Sequence, residues 1–366
     1  MKAAMSGFDL RAIAQELNAF NGAYVKKAYM PHYEQIVLRI NPKDMDQFDL
    51  VLVRGSRIYT SNRDRPMPMT PPPFAMVLRK HLKNARMTGV RQLGFDRVLA
   101  FDFDTKHGSY HLYVEVFRDG NIILTDQEGV IIQPLTHASY AGRTLKKGVV
   151  YQPPPAAMDP HELDQETLAD LFATSDRDLV STLGGKANLG GTHANAVCDL
   201  AKMEANMSTQ EADVEAIHTA LQALLGSLAA ERQGILLMKP SKEKDRAMLE
   251  QEAGSMGASG DRDRFFEQHA VEATPTLLPS HEGLAQSTFS TLCEAVDAWK
   301  GAHDAGALAR REAEKLDIAA PGRGHSTDVE RLERRKVQQT KALDGFSKKI
   351  EKQQMLGHTI QNNWTH

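Results

Sequence analysis

The chain has little sulfur chemistry to offer: among 366 residues there are two cysteines, Cys198 and Cys293, far apart and without a companion at metal-ligand spacing. That excludes a disulfide framework or a thiolate zinc site and predicts two free buried thiols in a reducing compartment. No apolar run approaches the length of a membrane-spanning helix, and the opening MKAAMSGFDLRAIAQEL lacks the uninterrupted apolar core of a signal peptide. A cytoplasmic protein with no membrane contact is expected. The fourteen histidines are scattered and none sits in an HExxH spacing, so no metal site is expected. A glycine-rich phosphate loop ending in Lys-Ser/Thr is also missing, as is a GxSxG or Cys/His arrangement. The expectation is therefore no cofactor, no catalytic residue and no enzyme.

What the chain does have is charge, unevenly placed. The formal net charge is −3, yet residues 54–106 hold eleven Lys/Arg against four Asp/Glu, leaving that segment at +7 and the remainder at −10. A basic segment in an acidic protein predicts a local anion site, because a phosphate backbone needs a concentrated positive field. Solvated surface charge fits the same count. The length calls for two or three domains.

Hydrophobic spacing divides the chain. Leu10, Ile13, Ala14 and Leu17 follow Asp9 at helical intervals and predict an amphipathic helix over 8–19. β-rich pieces follow at 24–30, 35–40, 49–55 and 57–61. A helix is predicted over 74–86, then strands at 97–103, 110–117, 121–126 and 129–135, with Asp119-Gly120 as a hairpin turn. Tyr151 to Pro155 reads as a linker. Residues 1–152 are thus expected as a mixed N-terminal domain of an α+β protein.

Residues 153–228 turn helical, and 176–203 reads as helix, glycine-bearing hairpin, helix. Gly184, Gly185, Gly190 and Gly191 permit positive φ and close backbone approach. In a helix-hairpin-helix, Gly190 and Gly191 would present backbone N–H groups to phosphate; glycines acting only as helix C-caps fit the spacing equally. Residues 229–287 give the weakest pattern, with candidate strands at 234–240 and 273–279, and are expected to form an irregular extension. A helix is predicted from Thr288. Beyond it, 328–356 places Val329, Leu332, Leu343, Phe346 and Ile350 on a heptad stripe interrupted at Lys336 and Gln339, so 288–366 is read as the first part of a coiled coil.

The densest pattern is PPPFAMVLRKHLKNARMTGVRQLGFDR, residues 71–97. Three prolines lead into a helix with Arg79, Lys80, Lys83 and Arg86, whose apolar set (Phe74, Met76, Val77, Leu78, Leu82) is expected to pack inward while the cations face out. The block ends in Asp96-Arg97. Arginine suits phosphate and base recognition through its planar fork, and a neighbouring aspartate can orient that fork or accept from a base amino group. An acid and a base adjacent in a turn are also common as a local solvated pair. His81 offers base stacking or a carbonyl cap.

This order closely resembles the N-terminal domain of the NFACT family of ribosome quality-control factors. The likeness is strong over 71–97, good over 8–40 and 121–126, and returns at 288–299 and 328–346. The resemblance implies an N-terminal NFACT domain, a helix-hairpin-helix domain and one arm of a coiled coil. The family's returning arm and C-terminal domain find no counterpart before His366. It implies binding to the large ribosomal subunit, rRNA included, with an obstructed peptidyl-tRNA, and recruitment of a tRNA, alanine-accepting in much of the family, to extend the stalled chain. The paired arms would reach stalk-base proteins. Asp9-Leu10 matches the family's early Asp-Leu motif and Asp96-Arg97 its Asp-Arg pair, both implied in tRNA handling. Peptide-bond formation would stay with the ribosome.

The rival is a nucleic-acid-binding protein related to DNA glycosylases of the formamidopyrimidine type, whose N-terminal domain is similar in architecture. That chemistry needs an N-terminal proline amine followed by glutamate, and this chain begins Met1-Lys2-Ala3.

Overall fold

The structure, a computed structural model, describes residues 4–319 apart from 141, 231–232, 241, 243–244 and 257–259. In chain order its main elements are Gly7–Asn18 (α1), Tyr24–His32 (β1), Gln35–Asn41 (β2), Phe48–Val53 (β3), Arg57–Ser61 (β4), Pro73–Leu82 (α2), Arg86–Gln92 (β5), Val98–Thr105 (β6), Gly108–Glu115 (β7), Ile122–Asp126 (β8) and Ile131–Pro134 (β9). A short hairpin, Ala138–Tyr140 (β10) and Arg143–Leu145 (β11), leads to helices Gln165–Ala173 (α3), Leu179–Gly185 (α4), Gly190–Ala201 (α5) and Val214–Ala230 (α6). The last stretch holds Gly234–Met238 (β12), Arg246–Ser255 (α7), Gly260–His269 (α8), Ala270–Thr274 (β13), Ala285–Phe289 (β14), Leu292–Ala305 (α9) and Ala307–Ala319 (α10). Among the described residues, 4–308 form one compact unit, and 309–319 lie outside it.

α1 begins where its sequence can close both ends of a capping box. Asp9 N–H donates to Ser6 Oγ at 3.2 Å, and Ser6 N–H donates to Asp9 Oδ2 at 2.7 Å. Its predicted stripe is fully buried: Leu10, Ile13 and Leu17 are at most 1% exposed, each contributing about 1.5–3 kcal/mol of burial. The strands form a nine-stranded antiparallel sheet in the order β4-β3-β2-β1-β5-β6-β7-β8-β9. β1 and β5 share the register pair Tyr24↔Arg86, so two four- to five-stranded halves meet at a narrow seam. The Asp119-Gly120 turn joins β7 to β8 as expected. There a Cβ on Gly120 would lie 2.3 Å from the Glu115 carbonyl oxygen, a distance only glycine avoids.

Three expectations need correction. The helix read over 74–86 stops at Leu82: Lys83 leaves with ψ 122, Asn84 takes φ 60, and Arg86 opens a strand instead of extending a helix. The stretch expected as an irregular extension folds into a three-stranded sheet, β13-β12-β14, with α7 and α8 between its strands. Leu236, Met238 and Phe266 join the same core as α1 and β1–β8, because the apolar run GILLM finds both its pairing partners more than thirty residues on. The segment read as a linker starts at an anchor: Tyr151 is 7% exposed, stacks on Tyr113 at 4.1 Å, and donates to Glu115 Oε1 at 3.1 Å. The heptad stripe at 328–356 lies outside the described residues. Among those described, no helix is long and apolar enough to cross a membrane.

Candidate nucleic-acid interface

The basic segment does not stay basic once folded. Arg57 donates through Nε to Asp304 at 2.9 Å, pairs with it again through Nη2, and reaches Ser56 Oγ with Nη1. Arg63 bridges Asp263 at 2.7 Å and Asp297 at 3.2 Å. Arg65, its side chain 1% exposed, lies 3.6 Å from Asp49, and Arg91 pairs with Asp102 at 3.0 Å. Asp49, Asp263, Asp297 and Asp304 all lie outside 54–106, so the acidic remainder of the chain neutralises part of the +7. Burial raises the Asp304 carboxyl, but hydrogen bonds from His303, Arg57 and Tyr59 outweigh it and hold the group well below the usual carboxylate range.

The predicted cations on and after α2 divide in the same way. Arg79 is folded back, its Nε donating to the Ala28 carbonyl at 2.7 Å and its guanidinium 5.2 Å from the Tyr29 ring centre. That corrects the expectation of an outward cation. His81 sets its ring edge-on against Tyr110 at 5.2 Å, and burial, then Lys80, lowers its pKa. Lys80, Lys83 and Arg86 are exposed and enter no ion pair among the described residues. They gather at the start of β5.

The Asp96-Arg97 pair sits beyond the other end of β5, in a turn held from three sides. Gln92 Nε2 donates to the Gly7 and Asp96 carbonyls, both at 2.9 Å, and Gln92 Oε1 accepts from Arg11 Nε at 2.8 Å. Arg11 continues to the Gly94 carbonyl at 3.3 Å and to Asp159 at 3.1 Å. Within the turn, Arg97 N–H donates to Asp96 Oδ1 at 2.6 Å, leaving the Arg97 side chain exposed. The third support comes from the helical region. Asn188 Nδ2 donates to the Phe95 carbonyl at 3.0 Å and to Met158 at 2.9 Å, while Phe8 lies 4.6 Å from Phe95 and 4.2 Å from His193.

Asn188 belongs to the four-residue turn between α4 and α5. It adopts φ 59, a left-handed conformation asparagine tolerates better than most residues. Gly190 follows at φ 72, and Gly190 and Gly191 are exposed at the start of α5, where no side chain caps the helix. Free N–H groups and the positive end of the helix dipole favour an anion there. The fold thus sets the turn carrying Asp96 and Arg97 against the α4–α5 turn that leads into Gly190 and Gly191, places Lys80, Lys83 and Arg86 at the other end of β5, and sends Asp9 inward. Asp9 is 1% exposed, accepts from Ser6 N–H and Oγ on Oδ2, and lines a cavity with Arg57, Trp299 and Lys300. Its link to the Arg97 turn is indirect, through Gly7 and Gln92. Gln92, Arg11 and Asn188 were not singled out from the sequence. An asparagine between two glycine pairs was a signal for Asn188; Gln92 and Arg11 carried none.

The family model for NFACT N-terminal and middle domains matches residues 6–365. The archaeal Rqc2 homolog aRqcH of Methanocaldococcus jannaschii is 26% identical over 376 residues, covering 100% of this chain and 51% of that protein. The ribosome quality control complex subunit NEMF of Homo sapiens is 40% identical over 136 residues, 37% of this chain and 12% of that one. This chain therefore spans about half the length, or less, of these relatives. The N-terminal part of the fibronectin/fibrinogen-binding protein from Streptococcus suis shares the fold, with a TM-score of 0.57 at 21% identity over 82% of this chain and 100% of that one. With the match running through nearly every residue from α1 onward, the chain belongs to the NFACT family.

Proposed function

We propose that this chain is the RNA-binding portion of a ribosome quality-control factor. It engages a large ribosomal subunit that holds an obstructed peptidyl-tRNA and recruits a tRNA, alanine-accepting as in much of the family, for template-free extension of the stalled chain. It acts as a binder, with peptide-bond formation left to the ribosome. The names of its relatives support the ribosomal setting. The observation that carries the RNA contact is the junction of the Asp96-Arg97 turn with the uncapped start of α5, fixed by the Asn188 amide. On this reading α4, its turn and α5 work as a helix-hairpin-helix, Gly190 and Gly191 taking a phosphate while Arg97 reads an adjacent phosphate or base.

The test is filter binding of tRNA at two salt concentrations. Arg97→Ala lowers affinity about tenfold, within the ~1–3 kcal/mol of an arginine fork, and a single Lys80→Ala costs less. An unchanged affinity for Arg97→Ala would remove the turn from the interface.

A further inference from the structure

We infer that the half-exposed patch around Tyr29, where β1 parts from β5, holds one backbone phosphate of a bound RNA between Lys27, Arg39 and Arg79. The inference rests on the RNA reading above and adds a contact to it. Three cations converge on one ring: Lys27 Nζ lies 5.3 Å, the Arg39 guanidinium 5.3 Å and the Arg79 guanidinium 5.2 Å from the centre of Tyr29. The register sets Lys27 directly opposite Arg39 on β2, and like charges facing across two strands destabilise a sheet. The ring quadrupole eases that repulsion, and a phosphate at hydrogen-bond distance relieves it further. Donors stand ready for it. Lys27 is exposed and enters no ion pair among the described residues. Arg79 uses Nε on the Ala28 carbonyl and Arg39 uses Nε and Nη2 on Asp49, at 2.9 and 3.2 Å, which leaves the remaining guanidinium nitrogens of both.

A second observation, deeper in the same cluster, shows that acceptors run short. Arg65 has a side chain 1% exposed, yet Nε, Nη1 and Nη2 find no hydrogen-bond acceptor among the described residues, and Asp49 Oδ2 stops 3.6 Å away. Buried donors without partners are costly and rare. Asp297, whose charge Arg65 also feels, is bonded to Arg63 at 3.2 Å, and the exposed Asp64 acts on Arg39 through space. One carboxylate, Asp49, is therefore divided between two arginines, and Arg39 holds both of its oxygens. A phosphate that draws Arg39 outward releases Asp49 to Arg65. Binding thus exchanges a surface ion pair for a phosphate contact and satisfies a buried guanidinium in the same step.

The shape of the patch points to a polymer as the source. It is a shallow face of the sheet with Lys27 exposed at its rim, open to a passing backbone. Lys27 follows Tyr24, the register partner of Arg86, by three positions on β1, roughly 10 Å along the strand. A phosphate held at Tyr29 and those met by Lys80, Lys83 and Arg86 then belong to one strand of RNA. Nothing in the cluster reads a base edge, so the contact is indifferent to sequence.

The test is the anisotropy of a fluorescein-labelled oligouridylate binding to the whole chain at two salt concentrations. Lys27→Gln weakens binding about tenfold, the worth of one charge-assisted hydrogen bond, and lowers the salt slope by about 0.7, the single-strand value for one phosphate. Lys80→Ala costs about twofold, as a cation without a built partner set does. Arg65→Met replaces a buried charge by an apolar chain of similar length and keeps the fold. It still weakens the RNA about threefold, although the side chain is too buried to touch it, because Asp49 then keeps Arg39. Thermal melting reports whether that variant folds, and Lys27→Gln decides the matter if it does not. An abasic oligonucleotide of equal length binds as the oligouridylate does. Displacement by UMP or inorganic phosphate only far above the oligonucleotide's own range supports RNA as the source; displacement within that range assigns a free phosphate and overturns it. A Lys27→Gln loss no larger than that of Lys80→Ala marks diffuse attraction and overturns the site, and wild-type affinity in folded Arg65→Met overturns the exchange. Arg97→Ala separates the readings. Unchanged tRNA affinity there, with the Lys27→Gln loss intact, sinks the turn and leaves this site standing, and the opposite pair of results sinks this site alone.

Discussion

Charge on a side chain says little until its partner is known, and Arg57 and Lys80 make the contrast. Both are cations of the same basic segment, but Arg57 clamps β4 to α9 through Asp304, a carboxylate 2% exposed, whereas Lys80 stands in solvent. Breaking a buried pair leaves its other member uncompensated, so Asp304→Asn costs about 3 kcal/mol at neutral pH. The pH dependence has a definite sign. Asp304 is depressed below its ordinary 3.8 in the folded protein, so its contribution is complete above 3.8 and is lost as pH falls through the folded value. Melting temperatures of wild type and Asp304→Asn should therefore stay apart above pH 5 and converge as the acid limit is approached. A gap that stays constant down to pH 2 would contradict the ion-pair account. Gly120 is a steric counterpart. A Cβ there meets the Glu115 carbonyl at 2.3 Å, so Gly120→Ala should lower stability by about 1–3 kcal/mol, the usual cost of overpacking, measured by urea unfolding.

Elements whose partners are near in sequence were legible, and those with distant partners were not. α1, β1–β4 and β6–β9 follow from apolar spacing and turn residues, because each strand pairs mostly with its neighbour in the chain. β5 was missed: RMTGVRQ has few apolar positions, a glycine and a register shift between Met87 and Gly89, and it follows a helix whose sequence pattern runs on into it. β13 and β14 pair on either side of β12, and no local signal announces that. α9 depends on a distant contact of another kind. Glu16 of α1 accepts from the Leu292 and Cys293 N–H groups at 2.6 and 3.0 Å, capping the helix from 276 residues away. Glu16→Ala leaves both N–H groups without that acceptor and should cost about 1–2 kcal/mol in thermal unfolding. Hydrogen exchange should locate the loss at residues 292–296. Protection there equal to wild type would show that Thr291, the local cap, suffices by itself.

At the scale of the whole molecule, the +7 against −10 division of the sequence does not survive folding, since the acidic remainder reaches into the basic segment at Arg57, Arg63 and Arg65. What survives is two positive patches at opposite ends of β5. Seven residues of strand span roughly 20 Å, so Lys80, Lys83 and Arg86 are too far from Arg97, Gly190 and Gly191 to hold the same phosphate. That Asp96 and Arg97 stand in a turn before a strand was legible from the sequence, but this separation was not, because a helix read over 74–86 conceals the strand that creates it. One RNA touching both patches must be long and structured, as a folded tRNA is. The triple variant Lys80→Glu, Lys83→Glu, Arg86→Glu should then reduce the salt slope of tRNA binding by up to about three, one per lost phosphate contact, with the fold retained because all three side chains are exposed. Arg79 must be left in place, since its bond to the Ala28 carbonyl would be lost as well. Combined with Arg97→Ala, the affinity losses should multiply for intact tRNA, as independent contacts more than about 10 Å apart do. For a stem-loop too short to bridge the strand they should not. Equal behaviour of the two RNAs across all three variants would mean that only one of the patches meets RNA.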